Sequence, residues 1–356
     1  MSSNPPQSSF ANSPDPPGPT PLGPLNADEL LPPVEPPSAG FILQLFVIPA
    51  VIVLAVVLLG MLVTSLANTG ERDPAKIVAT LRSSSQNRWQ EAFELANALR
   101  NEQQNPELKN NSDLASQLAQ LLDEEITSGN ADDGSVKLRS FLCSALGEFH
   151  VDDGVEVLLR AAREDPDTYV RGSAINSLAI LAEDFRMQDP PREIQDKQFV
   201  DTFVELSNDQ NDAIRSQTAY ALGVITLSND SDPRLDTELE TLVDDLHADA
   251  RYNAALALAR HGNVLAVAAV AEMVDLKSLA VTTKDSLPQA QLRKRNTIIK
   301  NALDAAVVIH DKNPAADLSQ LSSAVQNLID EAAEQSEQVP PQLVDRAQEV
   351  LGILSN

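Results

Sequence analysis

The chain has 356 residues, with 26 Lys and Arg against 52 Asp and Glu and a net charge of -26. That balance argues against nucleic acid as a partner, because neutralising phosphates needs a basic stripe assembled against the molecule's own field. A single cysteine, Cys143, excludes an intramolecular disulfide and any multi-cysteine metal site, and His150, His247, His261 and His310 have no short ligand spacing. With 4% aromatic residues and abundant Ala and Leu, the composition suits closely packed helices better than a sheet.

Residues 1–39 hold 12 of the 23 prolines and no Lys or Arg. Without an apolar run to bury, such a segment cannot offset its chain entropy, so a disordered Pro-rich tail is expected. From Phe41 to Leu66 run 26 residues without a charge. At about 1.5 Å per residue this is long enough for the ~30 Å hydrocarbon core, so 41–66 is expected to be a transmembrane helix, with Pro49 as a kink. A cleaved signal peptide ending near Ser65-Leu66-Ala67 fits less well, since no basic region precedes the run. Arg72, Lys76 and Arg82 follow the helix and no basic residue comes before it, which places the C-terminal region in the cytoplasm by the positive-inside rule.

Beyond the apolar run the pattern is helical throughout. Ile77, Val78 and Leu81, then Ala92, Leu95, Ala96 and Leu99, recur at spacings of three and four, and Leu114, Leu118, Leu121 and Leu122 make a further stripe before Gly129-Asn130. Residues 71–130 are therefore expected to form a helical N-terminal cap or degenerate repeat. Four stretches then carry common lettering. Anchors Arg139, Arg171, Arg215 and Arg251 are each followed seven residues later by Leu146, Leu178, Leu222 and Leu258, and eight later by small Gly147, Ala179, Gly223 and Ala259. Six residues before each anchor stand Asp133, Asp165, Asp209 and Asp245, and the anchors are 32, 44 and 36 residues apart. That period predicts an all-α solenoid, whose helix pairs bury their apolar faces only by stacking and which offers an extended surface. The repeat core is expected over 131–276, each copy reading as an inner helix after the aspartate and then an outer one such as Val155–Leu159. The long gap holds Met187-Gln188-Asp189-Pro190-Pro191, a loop insertion. Arg88, with Leu95 and Ala96, repeats the lettering without the aspartate. Over 277–356, Ile298, Ile299, Ala302, Leu303 and Ala306 keep the periodicity with the register slipped by one, and Val344, Ala347, Val350 and Leu351 predict a capping helix.

With Asp, Arg, Leu and a small residue at these offsets, residues 133–276 resemble HEAT repeats, in particular the bacterial HEAT-like class also found in phycobilisome lyases. The whole plan resembles membrane-anchored bacterial HEAT proteins. The resemblance implies that Asp133, Asp165, Asp209 and Asp245 bond the anchoring arginines in a structural ladder, and that inner helices line the concave surface. Positions two and five after each anchor share one helix side. They are Phe141 and Ser144, Ser173 and Asn176, Gln217 and Tyr220, Asn253 and Leu256. Such an uncharged row of aromatic and amide groups suits protein contacts, with Phe141, Asn176, Gln217, Tyr220 and Asn253 as the partner-binding candidates.

Catalytic signatures are missing: there is no Walker-type loop, G-x-G-x-x-G, H-E-x-x-H or G-x-S-x-G. Adjacent carboxylates such as Asp132-Asp133, Asp244-Asp245 and Glu124-Glu125 follow from an acidic composition. Cys143 is expected as a packing residue, His150 and His261 as helix-end residues, and Arg293, Lys294, Arg295 and Lys300 as a solvated face. The expected function is a membrane-anchored scaffold that binds or organises a protein partner, without cofactor, metal or catalysis of its own. Two alternatives stay open: an accessory subunit of a membrane complex acting through its transmembrane helix, and, from the resemblance, a bilin lyase-like enzyme-associated protein.

Overall fold

The computed structural model describes residues 40, 47–68, 73–83, 85, 87–101, 105–228, 231–283, 288–334 and 339–355, with side chains of the first helix described through Met61. The expected Pro-rich tail, 1–39, lies outside the described residues, as do 41–46 and Arg72. The chain divides into two compact units, Met1–Gly70 and Glu71–Asn356.

In the first unit, α1 spans Ile48–Asn68. Its described large apolar side chains, from Val47 to Met61, are all exposed. Among the described residues no helix is long and apolar enough to cross a membrane. The expectation of a spanning helix over 41–66 is therefore not met within them, since part of that run falls outside.

Every regular element described in the second unit is a helix. In chain order they are α2 (Pro74–Leu81), α3 (Arg88–Arg100), α4 (Pro106–Lys109), α5 (Ser112–Ser128), α6 (Asp133–Leu146), α7 (Val155–Glu164), α8 (Thr168–Met187) and α9 (Gln198–Ser207). Then follow α10 (Asp212–Ile225), α11 (Pro233–Leu242), α12 (Ala248–Arg260), α13 (Ala266–Glu272), α14 (Leu276–Thr282), α15 (Pro288–Lys312), α16 (Ser319–Glu334) and α17 (Pro341–Leu354). Helices start where short polar side chains hold the first free N–H groups. Asp132 accepts from the Ser135 N–H at 3.0 Å, Asp167 from Tyr169 at 2.8 Å, and Asn211 from Ala213 at 2.9 Å. Pro233 and Pro341 open their helices at positions where no N–H is needed.

The helices form two rows. One runs α3, α6, α8, α10, α12, α15, α17, each packing on the next; the other runs α2, α5, α7, α9, α11, with α13 packing on α16 further along. A continuous core from Ile77 to Val350 lies between them, built from Leu, Ala, Ile and Val at helical spacing. The result is an all-helical, HEAT-like repeat array. One sequence expectation needs correcting. In the first copies the close hairpin is not an anchor helix followed by its outer partner: α6 barely meets α7, whereas α7 packs extensively on the following α8; only at the end of the repeat core does an anchor helix, α12, pack extensively on the helix that follows it, α13. Asp165, Asp209 and Asp245 therefore sit in the tight turns that lead into the anchor helices, the geometry of a short helix–helix connection.

The small residue eight after each anchor is explained by the close approach of neighbouring helices in the first row. A Cβ on Gly147 would come within 2.7 Å of the Ser177 Cβ on α8, and one on Gly223 within 2.8 Å of the Ala257 Cβ on α12. Ala179 and Ala259 are buried at the same offset. Gly262 has a left-handed backbone, φ 69°, and a Cβ there would meet Lys312. It closes α12 against the end of α15.

Candidate interaction face

The anchoring arginines lie along one seam. Arg139 Nε donates to Asp165 at 2.7 Å and its Nη2 donates to the other carboxylate oxygen at 3.3 Å, with both side chains fully buried. Arg171 pairs with Asp209. Arg215 forms a two-point fork with Asp245, at 2.6 and 3.0 Å. Each arginine thus reaches the aspartate of the next repeat. Each also donates to a carbonyl that precedes its own helix: Arg139 to Asn130, Arg215 to Asp209 and Arg251 to Asp245 in the turn before it, and Arg171 to Ala162 in the last turn of α7. The aspartates in turn accept the backbone N–H two residues on, at Asp167, Asn211 and His247. Every guanidinium therefore joins two successive turns, and bidentate charge-assisted geometry gives the seam its direction.

Two positions depart from the expected ladder. Asp133 does not pair with an anchoring arginine; its exposed carboxylate meets Lys137 at 2.7 Å. The cause is local, because α6 begins a turn earlier than the other anchor helices, with Asp132 as its cap, so Asp133 falls inside the first helical turn rather than in the loop before it. Arg88 instead pairs with Glu125 at 2.8 Å. At the other end Arg251 has no next-repeat aspartate and forks onto Glu272 at 2.9 and 2.6 Å, where the Tyr252 hydroxyl also donates, at 2.9 Å.

Electrostatics follow this geometry. For Asp209 and Asp245 burial alone would raise the carboxyl pKa, but the bonds from Arg171 and Arg215, with the backbone N–H groups, leave both below the usual range. Glu272 behaves likewise, burial being outweighed by Arg251 and Tyr252. Burial pushes the Tyr252 phenol up to about 12. The Cys143 thiol, fully buried on α6, is pushed up by burial and then by the Asp165 charge, which opposes thiolate formation.

The predicted row of side chains falls on α6, α8, α10 and α12. Tyr220 is 47% exposed; Phe141, Ser144, Ser173, Asn176, Gln217, Asn253 and Leu256 are half-buried. Two of these are tied laterally. The Ser173 and Ser140 hydroxyls lie 2.6 Å apart, and the Asn253 amide donates to the Ser216 carbonyl at 3.0 Å. Phe141 belongs to an aromatic trio that sequence reasoning missed: its ring lies 6.1 Å from Trp89, stacked, and 5.2 Å edge-on from Phe93. Lys137 covers Trp89 at 5.1 Å. A signal for it was present, because Phe93 stands five after Arg88, the offset shared by Tyr220.

Among the remaining expectations, His150 meets Asp184 at 3.3 Å and His261 lies 3.5 Å from the Thr226 hydroxyl. Lys294 and Lys300 pair with Asp249 and Asp304, and Arg295 is buried, so the basic stretch is spread around α15 rather than gathered on one face. No group of three or more His, Cys, Asp or Glu fit for a metal occurs among the described residues.

No family model and no curated protein matches the chain. Among solved structures it is similar to YibA of Escherichia coli, at 17% identity and a TM-score of 0.40, covering 79% of this chain and 92% of that one. It is also similar to human deoxyhypusine hydroxylase in complex with glycerol, at 16% identity and a TM-score of 0.28, covering 82% of this chain and 98% of that one. Likeness this distant carries no activity across.

Proposed function

We propose that the chain is a membrane-anchored scaffold that binds a protein partner along its first helix row, without catalysis of its own. The carrying observation is the strip at positions two and five after Arg88, Arg139, Arg171, Arg215 and Arg251. Its ten residues are Gln90, Phe93, Phe141, Ser144, Ser173, Asn176, Gln217, Tyr220, Asn253 and Leu256, on five successively packed helices. None is charged, in a chain of net charge -26. An uncharged strip with exposed aromatics at Phe93 and Tyr220 has the composition of an interface core with a polar rim. Anchoring rests on the uncharged 41–66 run, and the cytoplasmic side for the solenoid rests on Arg72, Lys76 and Arg82.

Tyr220→Ala should weaken partner capture by the full-length chain and leave melting nearly unchanged, since exposed substitutions shift stability by less than about 0.5 kcal/mol. Capture that stays at the wild-type level would remove the strip from the reading. Anchoring is checked separately: alkaline carbonate should leave the protein in the membrane pellet, and release into the supernatant would refute it.

A further inference from the structure

The uncharged strip has a period, and the period selects what can lie along it. Its helices, α3, α6, α8, α10 and α12, pack one on the next. The small residue eight after each anchor brings neighbours close, as at Gly147 against Ser177 and Gly223 against Ala257. Helices in such contact stand about 8–10 Å apart. Each contributes side chains at the same two offsets, so equivalent groups recur at that interval.

What recurs suits a bare peptide backbone. The side-chain amides of Gln90, Asn176 and Gln217 bond to nothing else among the described residues, and their polar atoms reach the surface. Each amide can both donate and accept. Tyr169, 65% exposed one turn before Ser173, joins Phe93 and Tyr220 as a third exposed ring on this side. A helical occupant offers these amides little, because its own turns use its backbone groups. A strand exposes them but repeats every two residues, about 6.6 Å, out of step with the helices. Polyproline II leaves its backbone unpaired and repeats every three residues, about 9.3 Å, so it meets each helix in turn with the same face. Charge narrows the chemistry further. All five helices carry a carboxylate in or just before the first turn, Glu91, Asp133, Asp167, Asp212 and Asp249, and an acidic occupant is opposed by them. We propose that the strip binds a proline-rich, acid-free segment of its partner in the polyproline II form, laid across the five helices. This rests on the strip being the binding face and adds the chemistry of its occupant. Four intervals of about 9 Å correspond to roughly 12 residues of such a segment.

The test is fluorescence anisotropy of the full-length chain in detergent with fluorescein-labelled Leu-Pro-Pro repeat peptides of two to seven triplets. Affinity should rise at least about tenfold as triplets are added up to four or five, and then level off. Two controls of five-triplet length should each bind at least about tenfold more weakly: one with the leucines moved off the three-residue spacing, and one with glutamate in place of leucine. Gln90→Ala on α3 and Tyr220→Ala on α10, both at exposed positions, should each weaken the five-triplet peptide about threefold or more with melting unchanged. No saturable binding, affinity that ignores length, or a respaced peptide as tight as the regular one would overturn the proposal. Should Tyr220→Ala lose partner capture while no repeat peptide binds, the strip stands as the binding face and the polyproline occupant alone falls.

Discussion

The first and last rungs of the ion-pair seam use the same arginine at the same repeat position, yet they sit in different surroundings. Arg139 and Asp165 are wholly removed from water, whereas Arg251 and Glu272 keep 20% and 29% of their side-chain surface exposed. At the buried end the two charges depend on each other, because desolvation costs several kcal/mol per ion and only the partner and the surrounding N–H and C=O groups offset it. At the exposed end water shares that task. The repeated letters thus specify a geometry, and neighbouring packing decides how much stability hangs on it. Because repeats in such an array contact only their neighbours, the difference stays local.

The largest effect is expected from Arg139→Ala. It strands the Asp165 carboxylate in a dry turn, and breaking such a pair from one side costs about 3–5 kcal/mol. Urea unfolding followed by circular dichroism would read this as a large drop in midpoint. Replacing both partners together, Arg139→Met with Asp165→Leu, should recover most of the loss, since well-packed apolar substitutes are often neutral. A double variant as unstable as the single one would show that the bonds to Asn130 and Asp167, rather than the ion pair, hold the turn.

Arg251→Ala should cost less, about 1–3 kcal/mol, because the partly exposed Glu272 can take up water once the arginine is gone. Tyr252, losing nothing of its own bond, keeps one donor on that carboxylate. Equal losses for Arg139→Ala and Arg251→Ala would mean that burial does not grade the seam.

Acid should act next, on the rungs whose carboxyls are held below their usual range. Asp209, Asp245 and Glu272 have folded pKa values under those of an unfolded chain, about 3.9 for Asp and 4.3 for Glu. A depressed folded pKa gives stability that is complete above the unfolded value and is lost as pH falls through the folded one. The urea midpoint should therefore be flat from pH 7 to about pH 5 and decline below about pH 4. Glu272→Gln should make that decline shallower, and an unchanged acid limb would remove this carboxylate from the linkage.

Much of this array was legible in the sequence, because a helical repeat writes its core at spacings of three and four and its tight approaches as Gly or Ala. The anchors, the buried Leu seven residues on and the small residue eight on each correspond to a packing requirement at a named contact, such as Gly147 against Ser177. The pairing of helices was not legible. Letters recur with the same period whichever way a repeat is cut, and only the short Asp165-Pro166-Asp167 turn shows that α7 and α8 form the close hairpin. Glu272 was equally hidden, since nothing in its local spacing announces that it substitutes for an aspartate. The aromatic trio could have been found by extending the count back to Arg88. The contacts of Arg192 could not, because they reach from the insertion to the His150 carbonyl of an earlier repeat.

The smallest effect is expected at Asp133, and it tests the contrast from the other side. By lettering alone Asp133 is equivalent to Asp165, Asp209 and Asp245, so a purely sequence-based account gives all four the same weight. In the fold the early start of α6 turns its carboxylate to solvent, where it holds one exposed lysine four residues on. Exposed pairs at that spacing contribute about 0.3–0.5 kcal/mol. Asp133→Ala should accordingly shift the unfolding midpoint barely at all, while Asp165→Ala, which leaves a fully buried Arg139 uncompensated, should shift it by nearly as much as Arg139→Ala. If the two aspartate variants proved equally destabilising, helix starts would not be what separates them, and the repeat would have to be defined by its letters after all.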